Sequence, residues 1–121
     1  MKSRQKRFLV IAVLILVAGA FEAAPLVTAA EQVIKITAKK FEYNPKEITL
    51  KRGVPVVLEF TSLDRLHGFN CPDLGVRADI KPGKAARVPL TPQKAGDFEF
   101  HCDNFCGSGH ADMKGMFHVV E

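Results

Sequence analysis

The chain has 121 residues, room for one domain, with 17 Lys plus Arg against 13 Asp plus Glu. The four basic residues of "MKSRQKR" supply most of the excess: without Lys2, Arg4, Lys6, Arg7 and Glu22, 13 basic and 12 acidic residues remain. That balance excludes the basic footprint of a nucleic-acid-binding protein.

The basic start is followed by "FLVIAVLILVAGAF", an unbroken apolar run over residues 8–21, then by Pro25 and the small residues of "VTAAE". This is the order of a secretory signal, with cleavage expected after Ala29 or Ala30. Fourteen apolar residues fall short of the roughly 20 that a spanning helix needs. A single retained membrane anchor is the alternative. The expected division is 1–30 as signal peptide or anchor and 31–121 as the folded domain. The expected location is periplasmic or otherwise extracytoplasmic.

From residue 31 onward the pattern is that of strands. "VIKITA" sets Ile34 and Ile36 on one face, and "EITLK" sets Ile48 and Leu50 inside. "VPVVLEFT" places Val56, Leu58 and Phe60 on one face, and "ARVPL" is a short strand. "GDFEFHC" opposes Phe98, Phe100 and Cys102 to Asp97, Glu99 and His101. "GMFHVV" opposes Phe117 and Val119 to Met116 and His118. Turn signals at "YNPK", "KRG", "KPGK" and "QKAG" separate these runs. Short strands at this spacing predict a small all-β sandwich or barrel. No helical period longer than two turns is present.

The chemistry is concentrated between the last two strands, in "HCDNFCGSGHADM". Its spacing, C-x3-C-x3-H-x2-M, lets Cys102, Cys106, His110 and Met113 converge on one loop. Gly107 and Gly109 allow the backbone to bend. His67, in "SLDRLHGFN", supplies one more imidazole. In an oxidising compartment a disulfide is the default fate of two nearby cysteines, but a disulfide needs neither histidine nor methionine. A zinc site has no use for the methionine. Thiolate, imidazole and thioether are the ligands of Cu(I) and of blue copper. A mononuclear blue site uses one thiolate, whereas two thiolates with two histidines can bridge two coppers. Two Cu(I) and two thiolates sum to zero charge, so losing one electron leaves a single positive charge spread over two metals. Little solvent then has to rearrange, which suits an electron carrier.

Three motifs in order carry a family resemblance. "SLDRLHGF", "PDLGVRADIKPG" and "CDNFCGSGHADM" resemble the binuclear-copper (CuA) domain of cytochrome c oxidase subunit II, over about residues 40–121. The resemblance implies a Greek-key cupredoxin sandwich. It implies His67, Cys102, Cys106, His110 and Met113 as side-chain ligands of two copper ions, with the backbone carbonyl of Asn104 as a further ligand. The family usually has Glu at that position, and a main-chain oxygen tolerates the change. It also implies a redox donor or acceptor such as a c-type cytochrome or an oxidase. The chain departs from the family in having no Trp, no aromatic-rich segment for cytochrome c, no transmembrane hairpin, and a cysteine at position 71.

The reading is thus a single-electron carrier, not an enzyme by itself. A subunit II-like component of a haem-copper oxidase, a copper-handling protein and a mononuclear cupredoxin are the alternatives. Membrane contact is expected only if the N-terminal segment is retained. Duller roles are assigned elsewhere. Cys71 is read as a small buried hydrophobe, Phe69 as core, Met116 as packing, and His101 and His118 as solvated. Asp64 either hydrogen-bonds within the site or is a solvated turn residue.

Overall fold

The computed structural model describes residues 31–121 together with Gly19. The expectations for the signal or anchor segment fall outside the described residues. The described strands are β1 (Val33–Lys39), β2 (Glu42–Asn44), β3 (Glu47–Lys51), β4 (Val56–Ser62), β5 (His67–Cys71), β6 (Val76–Ile80), β7 (Ala86–Leu90), β8 (Gly96–His101) and β9 (Lys114–Val120). Two single 3-10 turns, Pro72–Leu74 and His110–Asp112, are the helical elements among them. No helix among the described residues is long and apolar enough to cross a membrane.

The strands form two sheets. One has the order β2-β1-β4-β7, the other β3-β9-β8-β5-β6. β1 runs parallel to β4 and β3 parallel to β9, so the chain crosses repeatedly between the sheets in the Greek-key manner. Alternation explains which side chains meet between them. Ile36, Leu58 and Phe60 face inward from the first sheet, and Phe69, Phe100 and Phe117 from the second; all are fully buried. Phe60 meets Phe69 across the sandwich at a ring separation of 4.4 Å, and Phe100 packs on Phe117 at 4.6 Å.

Every strand read from the alternation pattern is present, with small shifts. β4 begins at Val56, after Pro55, whose missing N–H cannot join a ladder. β4 lies between β1 and β7, and Val57, on its other face, is buried as well. Three strands lie outside that pattern. β2 occupies part of what reads as a turn, and β5 and β6 lie in the motif-bearing stretch 67–80. Phe69 and Cys71 are core, as expected. His101 and His118 are half-buried, not fully solvated, and His118 is ion-paired with Asp97 and Glu47.

Candidate metal centre

The β8–β9 loop is closed at its base by its own ends. The Cys102 N–H donates to the Met113 carbonyl at 3.1 Å. Within it the 3-10 turn at His110–Asp112 is fixed by His110 N–H to Gly107 O (3.1 Å) and Met113 N–H to His110 O (3.2 Å). This turn carries His110 and Met113 back toward Cys106. The Cys106 Sγ lies 3.6 Å from His110 Nδ1 and 3.8 Å from Met113 Sδ. Gly107 needs its missing side chain, since its φ is +138°. Gly109 needs it for another reason: a Cβ there would run into the ring of Phe41, from the β1–β2 connection.

Cys102 directly follows β8 and is buried. Its Sγ lies 3.7 Å from Cys106 Sγ, nearly twice a disulfide bond length of about 2.05 Å, and both cysteines are free thiols. The Cys102 thiol donates to the Asn104 carbonyl at 3.1 Å and accepts from the Gly68 N–H at 3.3 Å.

His67 comes from the other side, at the start of β5. It is fully buried, and its donor atom and the two sulfurs all lie within 4.8 Å of one another. Its Nε2 is 2.6 Å from Asp64 Oδ1, while its Nδ1 is buried without any hydrogen-bond partner. Buried polar atoms are nearly always paired, so an orphan beside two thiols is the mark of a missing partner. A soft metal ion satisfies it, and the thiol, imidazole and thioether donors fit copper. Asp64 also accepts the Lys40 and Arg65 backbone N–H groups. Burial alone would raise its pKa, but the Lys40 N–H and the His67 ring outweigh this and hold it down to about 2. Of the two readings open for Asp64, the hydrogen-bonded one is the structure's.

All the side chains expected as ligands are therefore drawn to one end of the sandwich. His110 touches Cys106 but is not in the mutual group of His67, Cys102 and Cys106. Cys71 is also outside that group, buried in the core. Burial, then the neighbouring Cys102, pushes the Cys106 thiol up to about 11 in the metal-free protein. Tyr43 is likewise raised by burial, and its hydroxyl donates to Gly68 O at 2.6 Å.

Several contributors are not evident from spacing. Phe41 lies against the glycine face of the loop. Phe105, 77% exposed between the two cysteines, has its ring 5.7 Å from that of His110. Arg77 and Asp79 on β6 bond the side chains of Asp103 and Asn104. The Asn104 side chain is thus engaged, although only its main-chain oxygen is expected as a ligand.

A two-sheet sandwich with soft donors collected at one end defines a small copper protein of the cupredoxin class. The chain belongs to the cupredoxin-like domain family, whose family model matches residues 8–119. It is 30% identical over 91 residues to cytochrome c oxidase subunit 2 of Thermus thermophilus, covering 75% of this chain and 67% of that protein. A second subunit 2 sequence from that species is also 30% identical over 91 residues, and there the match spans 54% of its length, about half. The fold is that of the periplasmic domain of subunit II of cytochrome oxidase from Bradyrhizobium japonicum, with a TM-score of 0.69 at 24% identity, covering 74% of this chain and 84% of that one. The chain is therefore similar to the soluble domain of subunit II, and family and donor set together imply copper.

Proposed function

We propose that this chain is an extracytoplasmic carrier of single electrons with a binuclear copper centre. Its ligands are His67, Cys102, the Asn104 carbonyl, Cys106, His110 and Met113. One observation supports this above the others: two free sulfurs 3.7 Å apart, each with its own flank of donors. Asn104 O lies against Cys102, while His110 and Met113 lie against Cys106. Donors on one ion, at roughly 2.0–2.3 Å from it, lie no more than about 4.6 Å apart. A set that extends past the mutual reach of His67 and the two thiols suits two ions better than one.

Such a centre, when bound, supplies a reversible one-electron couple shared by both metals. The chain's own residues keep it dry and fixed. His67, Cys102, Cys106 and Met113 are buried, and the Phe100 and Phe117 core lies beneath the strands that carry the loop. The electron partner is a redox protein such as a c-type cytochrome or an oxidase. Residues 1–30 direct export and are removed after Ala29 or Ala30, and 31–121 is the mature domain.

Copper per chain and the paramagnetic resonance spectrum of the half-oxidised protein test the centre. Two coppers and hyperfine structure from two nuclei are expected. One copper with a one-nucleus pattern overturns the binuclear reading. Cys102→Ser and Cys106→Ser should each abolish the shared-electron spectrum. Met113→Leu should keep both metals and raise the potential, because a weak donor to the oxidised state is lost. N-terminal sequencing of exported protein tests the cleavage, and an intact Met1 in the membrane fraction would favour the anchor.

A further inference from the structure

Residues 103–105, between the two thiols, make no backbone–backbone hydrogen bond among the described residues. A main-chain carbonyl in such a segment has no ladder to fix its direction. Side chains take that role here. Asn104 Nδ2 donates to Asp79 Oδ1 at 2.7 Å. The Arg77 guanidinium donates to both carboxylate oxygens of Asp103, with Nη2 to Oδ1 at 3.1 Å, and Nη2 also reaches Asp79 Oδ1 at 2.8 Å. Arg77 and Asp79 stand two apart on β6 and so on one face of it, the last strand of its sheet. Two consecutive loop residues are thereby fastened to two alternate strand residues. The neighbouring strand β5 abuts the segment as well. A Cβ on Gly68 would sit 3.0 Å from Asn104 N and 3.1 Å from Asp103 N, so the strand backbone itself abuts the loop.

We infer that the Arg77–Asp103 and Asp79–Asn104 contacts are positioning devices that aim the Asn104 carbonyl at the copper centre. Asn104 then has two roles, its main-chain oxygen as ligand and its side-chain amide as the tether that sets that oxygen's orientation. The inference rests on the proposed copper centre, and deepens it by placing the control of one ligand on β6. It also accounts for Asn at this position. A carboxylate there would face Asp79 with like charge, whereas the amide supplies the donor that Asp79 accepts.

The test uses the full mature chain in copper-free and copper-loaded forms. The variants are Asn104→Ala, Asn104→Asp, and the double exchange Asp79→Asn with Asn104→Asp. The double exchange reverses donor and acceptor at unchanged total charge. In the copper-free protein, the NMR backbone order parameters of residues 103–105 should fall in both single variants, since the tether that holds the segment is lost, and return in the double exchange. In the loaded protein, the single variants should change the hyperfine pattern and shift the midpoint potential, and the double exchange should restore both. A purely structural role would lower the melting temperature without moving the potential or the spectrum, and that result overturns the inference. So do unchanged order parameters in Asn104→Ala. If the wild-type chain binds one copper, the binuclear reading fails by itself. The copper-free order parameters and the spectrum of the single ion in each variant then decide whether the tether orients this carbonyl.

Discussion

Asp64 Oδ1 lies 2.6 Å from His67 Nε2, and this contact decides which ring nitrogen of the histidine can serve a metal. With Nε2 held by the carboxylate, Nδ1 is left buried and unpaired. Asp64 is in turn held by the Lys40 and Arg65 N–H groups, so the ring is oriented by a chain of three contacts from the backbone. A carboxylate behind a ligating imidazole fixes its orientation and raises its basicity.

Asp64→Ala should therefore lower copper affinity by about 10–100-fold while leaving both thiols able to bind. Competition titration against a copper chelator measures this. Asp64→Asn should recover part of the loss, since an amide oxygen can still accept from the ring. Equal affinity in all three proteins would mean that the carboxylate does not orient His67.

Cys71 is a fully buried free thiol outside the metal-holding group. Cys71→Ser should leave copper stoichiometry and spectrum unchanged. It should destabilise the fold by about 1–3 kcal/mol, because a hydroxyl replaces a thiol in an apolar site. Cys71→Ala separates the two effects, removing the thiol without adding a polar group. Denaturant unfolding and metal analysis check both, and loss of copper in Cys71→Ala would make it a ligand.

His118 Nδ1 is 2.7 Å from Asp97 Oδ1 across the β8–β9 pair, and its Nε2 is 3.7 Å from Glu47 Oε1. The Asp97 hydrogen bond chiefly raises its pKa above the ordinary 6.5, with Glu47 adding to it. A raised folded-state value means the pair favours the folded protein fully below pH 6.5. That contribution is lost as pH rises through the folded value. Ring-proton titration by NMR should place His118 above 6.5, and Asp97→Asn should bring it back down. An unchanged titration in Asp97→Asn would remove the pair from the pH dependence.

Most strands were legible because one face of each is apolar and the other polar. Ile36 and Phe100 stand between charged or polar neighbours, and burial follows that alternation; Leu58 and Phe117 each have one apolar neighbour, Val57 and Met116. The donors were legible because metal chemistry restricts residue types and their spacing is local, except for His67. β5 and β6 were less so. "HGFNC" contains Gly and Asn and carries no clear period, whereas "VRADI" does alternate, Val76, Ala78 and Ile80 against Arg77 and Asp79, but over only five residues inside the motif-bearing stretch. Their order comes from pairing with each other and with β8. The tether from β6 to the loop joins residues 25 and 26 positions apart, through contacts that only the fold creates. Phe41 was hidden for the same reason, as one aromatic in a polar turn far in sequence from the glycines it covers.

That ring gives the site a prediction with an internal control. A Cβ on Gly109 would meet the Phe41 ring well inside van der Waals contact, and one on Gly107 would lie 2.7 Å from it. The backbone conditions differ. Gly109 has φ −91°, open to any residue, whereas Gly107 has φ +138°, where an L side chain is strained. Gly109→Ala should cost about 1–3 kcal/mol as an overpacking change. Combining it with Phe41→Ala should remove that overpacking, so the pair costs less than the sum of the two single changes. Gly107→Ala should keep a residual cost beside Phe41→Ala, because relieving the ring leaves the backbone strained. Urea unfolding of the copper-free single and double variants gives both coupling energies. Equal recovery at the two positions would mean that the ring contact alone demands glycine at both. No recovery at Gly109 would mean that Phe41 is not what holds this loop bare.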